Sequence, residues 1–189
     1  MARLARGGPT TGRSAMDDLL SQVEPMIPAL RRYARGFVHD AVAADDLVQD
    51  CLERVISHWH RRRNEDARTW VFAILHNLAV NRLRQAARRG QHVALEEIAD
   101  DLMAHPPTQE DDLARADVFS AIQQLPEEPR SVLLLVAVED LSYAQVAEVL
   151  AIPIGTVMSR LSRARERLRQ ILESPARGVR PGSHLRRVK

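Results

Sequence analysis

Apolar residues recur every three to four positions along most of the chain, and this spacing predicts helices. The clearest stripes are Leu47, Val48, Cys51, Leu52, Val55, Ile56 and Trp59, and then Trp70, Val71, Ile74, Leu75, Leu78 and Leu83. Shorter ones are Leu19, Leu20 and Val23, and Val118, Ile122 and Leu125. The apolar run 132–138 fits a buried strand or a buried helix. We predict a helix, because no partner strand exists nearby.

Two more helical patterns meet across a short turn near the C-terminus. Ser142 is a candidate N-cap, because its hydroxyl can accept a hydrogen bond from an amide of the first turn. Pro153 fits only the first turn of a helix, so one helix ends and the next begins within 151–154. The second helix has an apolar stripe made of Val157, Leu161, Ala164 and Leu168. The pattern predicts a helix-turn-helix, whose second helix would enter the DNA major groove.

These patterns predict an all-α protein with two small helical domains joined by a flexible acidic linker. The predicted divisions are a disordered arm at 1–16, a first domain at 17–90, a linker at 91–112, a second domain at 113–172 and a basic tail at 173–189. Within the first domain we predict a break around Pro25 and Pro28, a turn over 40–44 leading into a helix that begins near Asp45, and a loop over 58–66.

The distribution of charge supports a polyanion as partner. The net charge is +2, but residues 1–90 carry +5, residues 91–112 carry −7 and residues 113–189 carry +4. Two basic domains around an acidic connector fit a nucleic acid that is contacted at two places. Five arginines fall between Arg160 and Arg169, and arginine can both pair with guanine and neutralise phosphate.

Other functional classes find little support in the sequence. Cys51 is the single cysteine, which excludes a disulfide within the chain and fits a reducing compartment. It lies on an apolar stripe, where a free cysteine behaves as a small hydrophobe rather than a nucleophile. His58 and His60 have no third ligand at metal-site spacing. We expect a cytoplasmic protein without catalytic residues, cofactor, metal, small-molecule substrate or membrane insertion.

Several motifs resemble bacterial RNA polymerase sigma factors of the extracytoplasmic-function (ECF) type, in the sigma-70 family. The segments 125–134, 141–143 and 155–165 are similar to sigma region 4, and the segments 45–50 and 69–83 are similar to sigma region 2. The order and spacing match over about residues 17–172. The resemblance implies a protein that binds RNA polymerase core and directs it to promoters, commonly under the control of an anti-sigma factor.

The resemblance also implies site residues in the first domain. Four side chains match the helix with which the family binds polymerase core, namely Asp45, Asp46, Gln49 and Asp50. Four others match the helix that approaches the −10 element, namely Asn77, Asn81, Arg82 and Arg84. Asn77 stands where an unstacked base is approached, and amide groups can pair with base edges. The specificity loop is expected within 61–66. The alternative for both groups is a solvated helix face.

In the second domain the resemblance places the −35 contacts on the last helix. The groove-facing candidates are Thr156, Ser159, Arg160 and Arg163, and the phosphate-contacting candidates are Arg165 and Arg167. Five positions depart from the family pattern. Ala151 stands where glycine is frequent, Met158 replaces a basic residue, Pro129 replaces a polar one, and His76 and Asn81 replace commoner residues in region 2. A left-handed backbone at Ala151 would cost about 1 kcal/mol.

Three alternatives remain open at this point. The arginine-bearing helix pair can be an ordinary helical hairpin with a solvated basic face. The chain can be a promoter-binding regulator that acts without polymerase core, but this leaves the first domain without a role. An enzyme built on Cys51 and the nearby histidines is the third alternative, and no glycine-rich phosphate loop supports it.

Overall fold

A computed structural model of the chain describes residues 10–38, 40–62, 66–88 and 118–173, and every regular element among them is helical. The N-terminal module comprises α1 (Thr10–Val23), α2 (Ile27–Phe37), α3 (Ala41–His58) and α4 (Ala67–Arg88). Single 3-10 turns, Glu24–Met26 and Trp59–Arg61, follow α1 and α3. The all-α prediction is confirmed. The predicted linker 91–112 and tail 173–189 lie outside the described residues, apart from Glu173, the last residue of α8 below.

Helices α2, α3 and α4 pack against one another around an aromatic core. Tyr33, Phe37 and Phe72 are fully buried, and Tyr33 meets Phe72 edge to face with ring centroids 5.7 Å apart. Trp59 and Trp70 also meet edge to face, on the apolar side of their helices. The stripes predicted from the sequence therefore supply most of this core.

Some boundaries and burials differ from the prediction. The first helix begins at Thr10, inside the segment that was predicted as a disordered arm. The turn predicted over 40–44 is wrong, because α3 already begins at Ala41. Asp40 caps this helix by accepting hydrogen bonds from the amides of Val42 and Ala43. The helix therefore starts directly after Asp40, without a separate turn. Ile56 was assigned to the apolar stripe, but its side chain is exposed, since it lies at the stripe's edge.

The C-terminal module begins, where the structure describes it, with helical residues 118–123 (α5). It continues with α6 (Glu127–Leu133), a π-helical turn (Leu134–Val138), α7 (Tyr143–Leu150) and α8 (Ile154–Glu173). The apolar run is thus helical, as predicted. Its first four residues are buried against the rest of the core. Leu20 and Val118 were also placed on apolar stripes, but their side chains are exposed rather than buried.

The helix-turn-helix forms as the sequence predicts. Ser142 caps α7 in a capping box, in which its hydroxyl accepts from the amide of Gln145 and the Gln145 side chain accepts from the amide of Ser142. Ala151 ends the helix with φ 52° and ψ 46°, so the left-handed turn is retained without glycine at a cost of about 1 kcal/mol. The predicted stripe residues Val157, Leu161 and Ala164 are buried against α6 and α7.

The two modules share one hydrophobic core rather than standing apart. Helix α4 packs along α7, and α2 packs against the π-helical turn. At one close contact between the modules, Gly36 of α2 faces the fully buried Leu134, and a Cβ at position 36 would lie 2.9 Å from Leu134 Cδ2 and 3.3 Å from its Cγ. Glycine disfavours a helix, so its presence within α2 is explained by this contact.

Candidate functional site

The first candidate surface is one face of α3. Asp45, Asp46, Gln49 and Asp50 are all exposed, and their spacing brings them together on the side opposite the buried stripe. Arg31 of α2 lies 3.2 Å from the Asp45 carboxylate, and Arg82 of α4 lies 3.6 Å from that of Asp46. The predicted polymerase-binding residues thus form a continuous polar patch that is mainly acidic.

The second candidate surface is a row along α4. Asn77, Asn81 and Arg84 are exposed and follow one another at helical spacing, so they form a single edge. Arg82 is half-buried and turns towards Asp46, which separates it from this row. The structure therefore brings together three of the four predicted −10 residues. Of the expected specificity loop, residues 63–65 lie outside the described residues.

A partly buried hydrogen bond lies beneath the row on α4. Tyr33 Oη is 3.0 Å from His76 Nδ1, one residue before Asn77. Burial, with a smaller contribution from the positive charge of Arg84, lowers the pKa of His76 to about 4. Burial raises the pKa of Tyr33 well above 10, so both groups are neutral at physiological pH. This hydrogen bond holds in place the helix turn that carries Asn77. In the sequence, His76 was visible only as a departure from the family pattern, and its partner Tyr33 was not predicted.

The third candidate surface is the polar side of α8. Ser159, Arg163, Arg165 and Arg167 are exposed, and Thr156 is half-buried. The backbone carbonyl of Ser159 accepts a hydrogen bond from Arg163 Nε at 3.3 Å. Helical spacing predicted that Arg160 also faces outward, but its side chain is only 21% exposed, and its Nη2 lies 2.9 Å from the Glu128 carboxylate of α6. The prediction missed this pairing because Glu128 is 32 positions away in the sequence.

Sequence reasoning also missed a set of charged residues between the modules. Glu139 follows the π-helical turn and is buried, with its carboxylate 2.9 Å from Arg32 Nη2 of α2. Arg68 of α4 donates a hydrogen bond to the backbone carbonyl of Glu139. Glu139 Oε1 and Arg68 Nε are buried with no hydrogen-bond partner among the described residues. The sequence did not predict that Glu139 is buried, because an acidic residue at the end of an apolar run is usually at the surface.

The electrostatics of Glu139 follow from its burial. Burial raises the pKa of its carboxyl to about 7, against the lowering effect of Arg32 and Arg68. Nearby, Asp66 caps α4 and also accepts a hydrogen bond from Gln145 of α7 at 3.1 Å. Burial tends to raise the pKa of Asp66, but hydrogen bonds from Thr69, Gln145 and Arg68 outweigh it and lower the pKa. The interface between the modules is therefore polar and ionisable as well as apolar.

The described residues offer no arrangement for nucleophilic or metal chemistry. Cys51 is fully buried, as a small hydrophobe would be, and burial raises the pKa of its thiol to about 12. No three histidine, cysteine or carboxylate side chains of the described ranges come together as metal ligands. Within the same ranges, no helix has the length and apolar character that crossing a membrane requires.

Comparison with known proteins agrees with this geometry. Residues 115–168 match the family model of sigma-70, region 4, and this range includes α5 to α7 and all but the last five residues of α8. Residues 23–76 match that of the sigma2 domain of PhyR, which covers α2 and α3 and part of α4. The two matches fall within the two predicted domains and in the predicted order.

Full-length relatives extend the match across both modules. The ECF RNA polymerase sigma factor EcfG of Rhodopseudomonas palustris is 32% identical over 160 residues, which are 84% of this chain and 85% of that protein. The RNA polymerase sigma-H factor of Pseudomonas aeruginosa is 35% identical over 153 residues, covering 72% and 77% of the two chains.

Solved structures show the same fold. The sigma factor RpoE of Bartonella quintana, in complex with the anti-sigma factor NepR, has a TM-score of 0.70 and 28% identity over 85% of this chain and 99% of that one. CnrH, in complex with the cytosolic domain of CnrY, has a TM-score of 0.60 and 26% identity over 87% and 96%. The helix-turn-helix, the paired modules and these relatives together show that the chain belongs to the ECF family of RNA polymerase sigma factors, which direct promoter-specific transcription initiation.

Proposed function

We propose that this sigma factor divides its work among the three surfaces described above. The acidic patch on α3 binds RNA polymerase core, the row on α4 recognises the −10 element, and the polar side of α8 recognises the −35 element. The observation that carries this assignment is that three separate faces, each built from residues of one predicted class, are exposed on one folded unit.

The −10 assignment rests on the chemistry of the row along α4. Asn77 and Asn81 present amide groups that can pair with the edges of bases lifted from the stack. Arg84 continues the row, where a guanidinium can neutralise phosphate. The Tyr33–His76 hydrogen bond holds the helix turn beneath Asn77 in one position, which favours selection of a particular base.

The −35 assignment rests on the helix-turn-helix. Thr156, Ser159 and Arg163 lie towards the N-terminal part of α8, the part of a recognition helix that contacts base edges. Arg165 and Arg167 flank these positions and fit phosphate contacts. Arg160 belongs to the same surface, but it must leave Glu128 before it can bind DNA.

Control by an anti-sigma factor fits the same unit. The solved relatives RpoE and CnrH are each described in complex with a second protein, named as the anti-sigma factor NepR in the first case and as the cytosolic domain of CnrY in the second. We propose a partner of this kind for the present chain, acting in the cytoplasm where RNA polymerase is found. We assign the chain a regulatory role rather than an enzymatic one.

Arginine substitutions on α8 test the −35 assignment. The variants are compared in binding to duplexes selected from a randomised library. Arg163→Ala is expected to lower the affinity for the preferred sequence about tenfold or more, since a paired arginine contact contributes about 1–3 kcal/mol of discrimination. Arg165→Ala should weaken all duplexes alike and reduce the slope of log affinity against log salt by about 0.9.

Arg169→Ala is the matched control on the same helix. Arg169 is exposed but is paired with Glu166 at 2.6 Å, and it lies outside the proposed contacts, so its loss should change affinity little. Equal losses for all three variants would mean that α8 binds DNA only through its general positive charge, and the −35 assignment would then be wrong.

A further inference from the structure

An acidic pair at the start of α6 lies between the two proposed DNA surfaces. Glu127 and Glu128 occupy the first turn of this helix, where the helix dipole favours negative charge. The Glu127 carboxylate is 3.4 Å from Arg84 Nη2 on the −10 row, and the Glu128 carboxylate is 2.9 Å from Arg160 Nη2 on the −35 helix. Each carboxylate thus engages one arginine from a different DNA surface.

The chemistry of these pairs is that of an arginine–phosphate contact. A guanidinium binds carboxylate and phosphate oxygens with the same planar donors, so an arginine that holds one is less available to the other. We propose that Glu127 acts as an intramolecular mimic of a DNA phosphate, and that packing of the two modules against each other seats Glu127 on Arg84 and so withholds a −10 contact. This inference rests on the proposed role of α4 in −10 binding.

Contacts away from the acidic pair stabilise the closed arrangement, in which the two modules pack against each other. Leu134 fits against Gly36, and Arg32 binds the buried Glu139 carboxylate. Gln145 donates a hydrogen bond to Asp66 at the N-terminal end of α4, and Glu127 forms an ion pair with Arg84 near the C-terminal end of the same helix. The C-terminal module therefore contacts α4 along most of its length, and the carboxylate of Glu127 reaches Arg84 only while this packing lasts.

Neutralising each glutamate separately tests the mimic. The probe is a fluorescein-labelled pool of short single-stranded DNA of random sequence, bound by the full chain. Glu127→Gln is expected to raise affinity about threefold and to steepen the salt slope by about 0.7, the increment for one phosphate contact on a single strand. Glu128→Gln makes the same change of charge at the next residue but does not free Arg84, so it should leave this binding nearly unchanged.

Opening the modules tests the role of closure. Ser57 and Ser162 are exposed, one in each module, and can be replaced by cysteine for spin labels, since the buried thiol of Cys51 does not compete for the label. The wild-type background should give one narrow distance distribution. Gly36→Ala, whose Cβ would overlap Leu134, should broaden it and lengthen its mean, and should also raise affinity for the single-stranded probe. Gly155→Ala, where a Cβ meets nothing within 4 Å, should leave the distances unchanged.

The outcomes separate this inference from the proposed function. Equal binding by the Glu127→Gln and Glu128→Gln variants, with Asn77→Ala still changing which sequences are selected from the pool, would overturn the mimic while the −10 assignment stands. If Asn77→Ala and the wild type select the same sequences from the pool, the −10 assignment itself is wrong. A wild-type distribution as broad as that of Gly36→Ala would show that the free chain is not closed. If Gly36→Ala fails to fold, the comparison of the two glutamates still decides.

Discussion

Replacing Arg130 with alanine is expected to lower the free energy of unfolding by about 3 kcal/mol, because its guanidinium satisfies carbonyls at the ends of two helices. Arg130 Nε and Nη2 donate to the carbonyl of Leu125, and Nη2 also donates to that of Gln123, at the C-terminal end of α5. Its Nη1 lies 3.5 Å from the carbonyl of Phe37, the last residue of α2. One side chain therefore ties the C-terminal module to the N-terminal one.

The prediction for Arg130 is checked by urea denaturation at neutral pH. Arg130→Lys keeps the positive charge but loses the planar fork, so it should recover only part of the stability. Arg54→Ala, at an exposed position of α3, should change the free energy of unfolding by less than about 0.5 kcal/mol. Full stability in the lysine variant would show that charge, and not the set of hydrogen bonds, is what matters here.

The second large effect concerns the dependence of stability on pH. The pKa of Glu139 is raised to about 7 in the folded chain, so between pH 4.5 and 7 the folded state holds a proton that the unfolded state has released. Its contribution is complete below pH 4.5 and is lost as the pH rises through 7. The size of this loss is on the order of 3 kcal/mol, from about 1.4 kcal/mol for each pKa unit.

His76 changes the free energy of unfolding in the opposite direction to Glu139, over nearly the same pH range. Its pKa falls to about 4 on folding, so the unfolded state binds a proton first, and stability is lost as the pH falls from 6.5 to 4. The two effects should largely cancel between pH 4.5 and 6.5 in the wild type. The charged groups that face Glu139 are Arg32 from α2, Arg68 from α4 and the neighbouring Asp140.

Replacing Glu139 with glutamine removes its contribution to the pH dependence of stability, so that the contribution of His76 can be measured alone. The variant should become more stable as the pH rises from 4 to 6.5 and then remain level, whereas the wild type should lose stability above pH 6.5. The difference in free energy of unfolding between variant and wild type should therefore shift by on the order of 3 kcal/mol between pH 5 and pH 8 in favour of the variant. Parallel curves for the two proteins would mean that Glu139 does not carry the raised pKa.

Local patterns predicted the helices because each helix buries one stripe. The stripes around Cys51 and Leu75 and the N-cap at Ser142 needed no information beyond their own neighbours in sequence. The start of α3 was misplaced for a local reason too. Asp40 was assigned to a turn, although its side chain caps the helix directly.

The packing of the modules could not be predicted from such patterns. Arg32 and Glu139 are 107 positions apart, and no periodicity links them. The sequence predicted two domains joined by an acidic linker but not how they are arranged, and in the structure their apolar residues form one core. A glycine inside a helix, such as Gly36, is a local feature that could have indicated this contact, because glycine destabilises a helix.

For the candidate site residues, the sequence predicted the helix face on which most of them lie, while their role stays a prediction. The exposed positions on α3, α4 and α8 match the family motifs, because helical spacing determines which side chains leave the core. The partners of the arginines were missed. Arg160, Arg82 and Arg84 all bind carboxylates from other helices, and these pairings depend on tertiary packing.

Run-off transcription tests the sigma assignment most directly. The purified chain would be combined with bacterial RNA polymerase core and a library of promoter fragments, with Asn77→Ala, Arg163→Ala and the control Arg169→Ala in parallel. We expect promoter-specific transcripts that require the chain, and that the first two variants weaken about tenfold or more while the control does not. The absence of transcripts and of core binding, with duplex DNA still bound through α6 to α8, would contradict the account and indicate a regulator that acts without polymerase core.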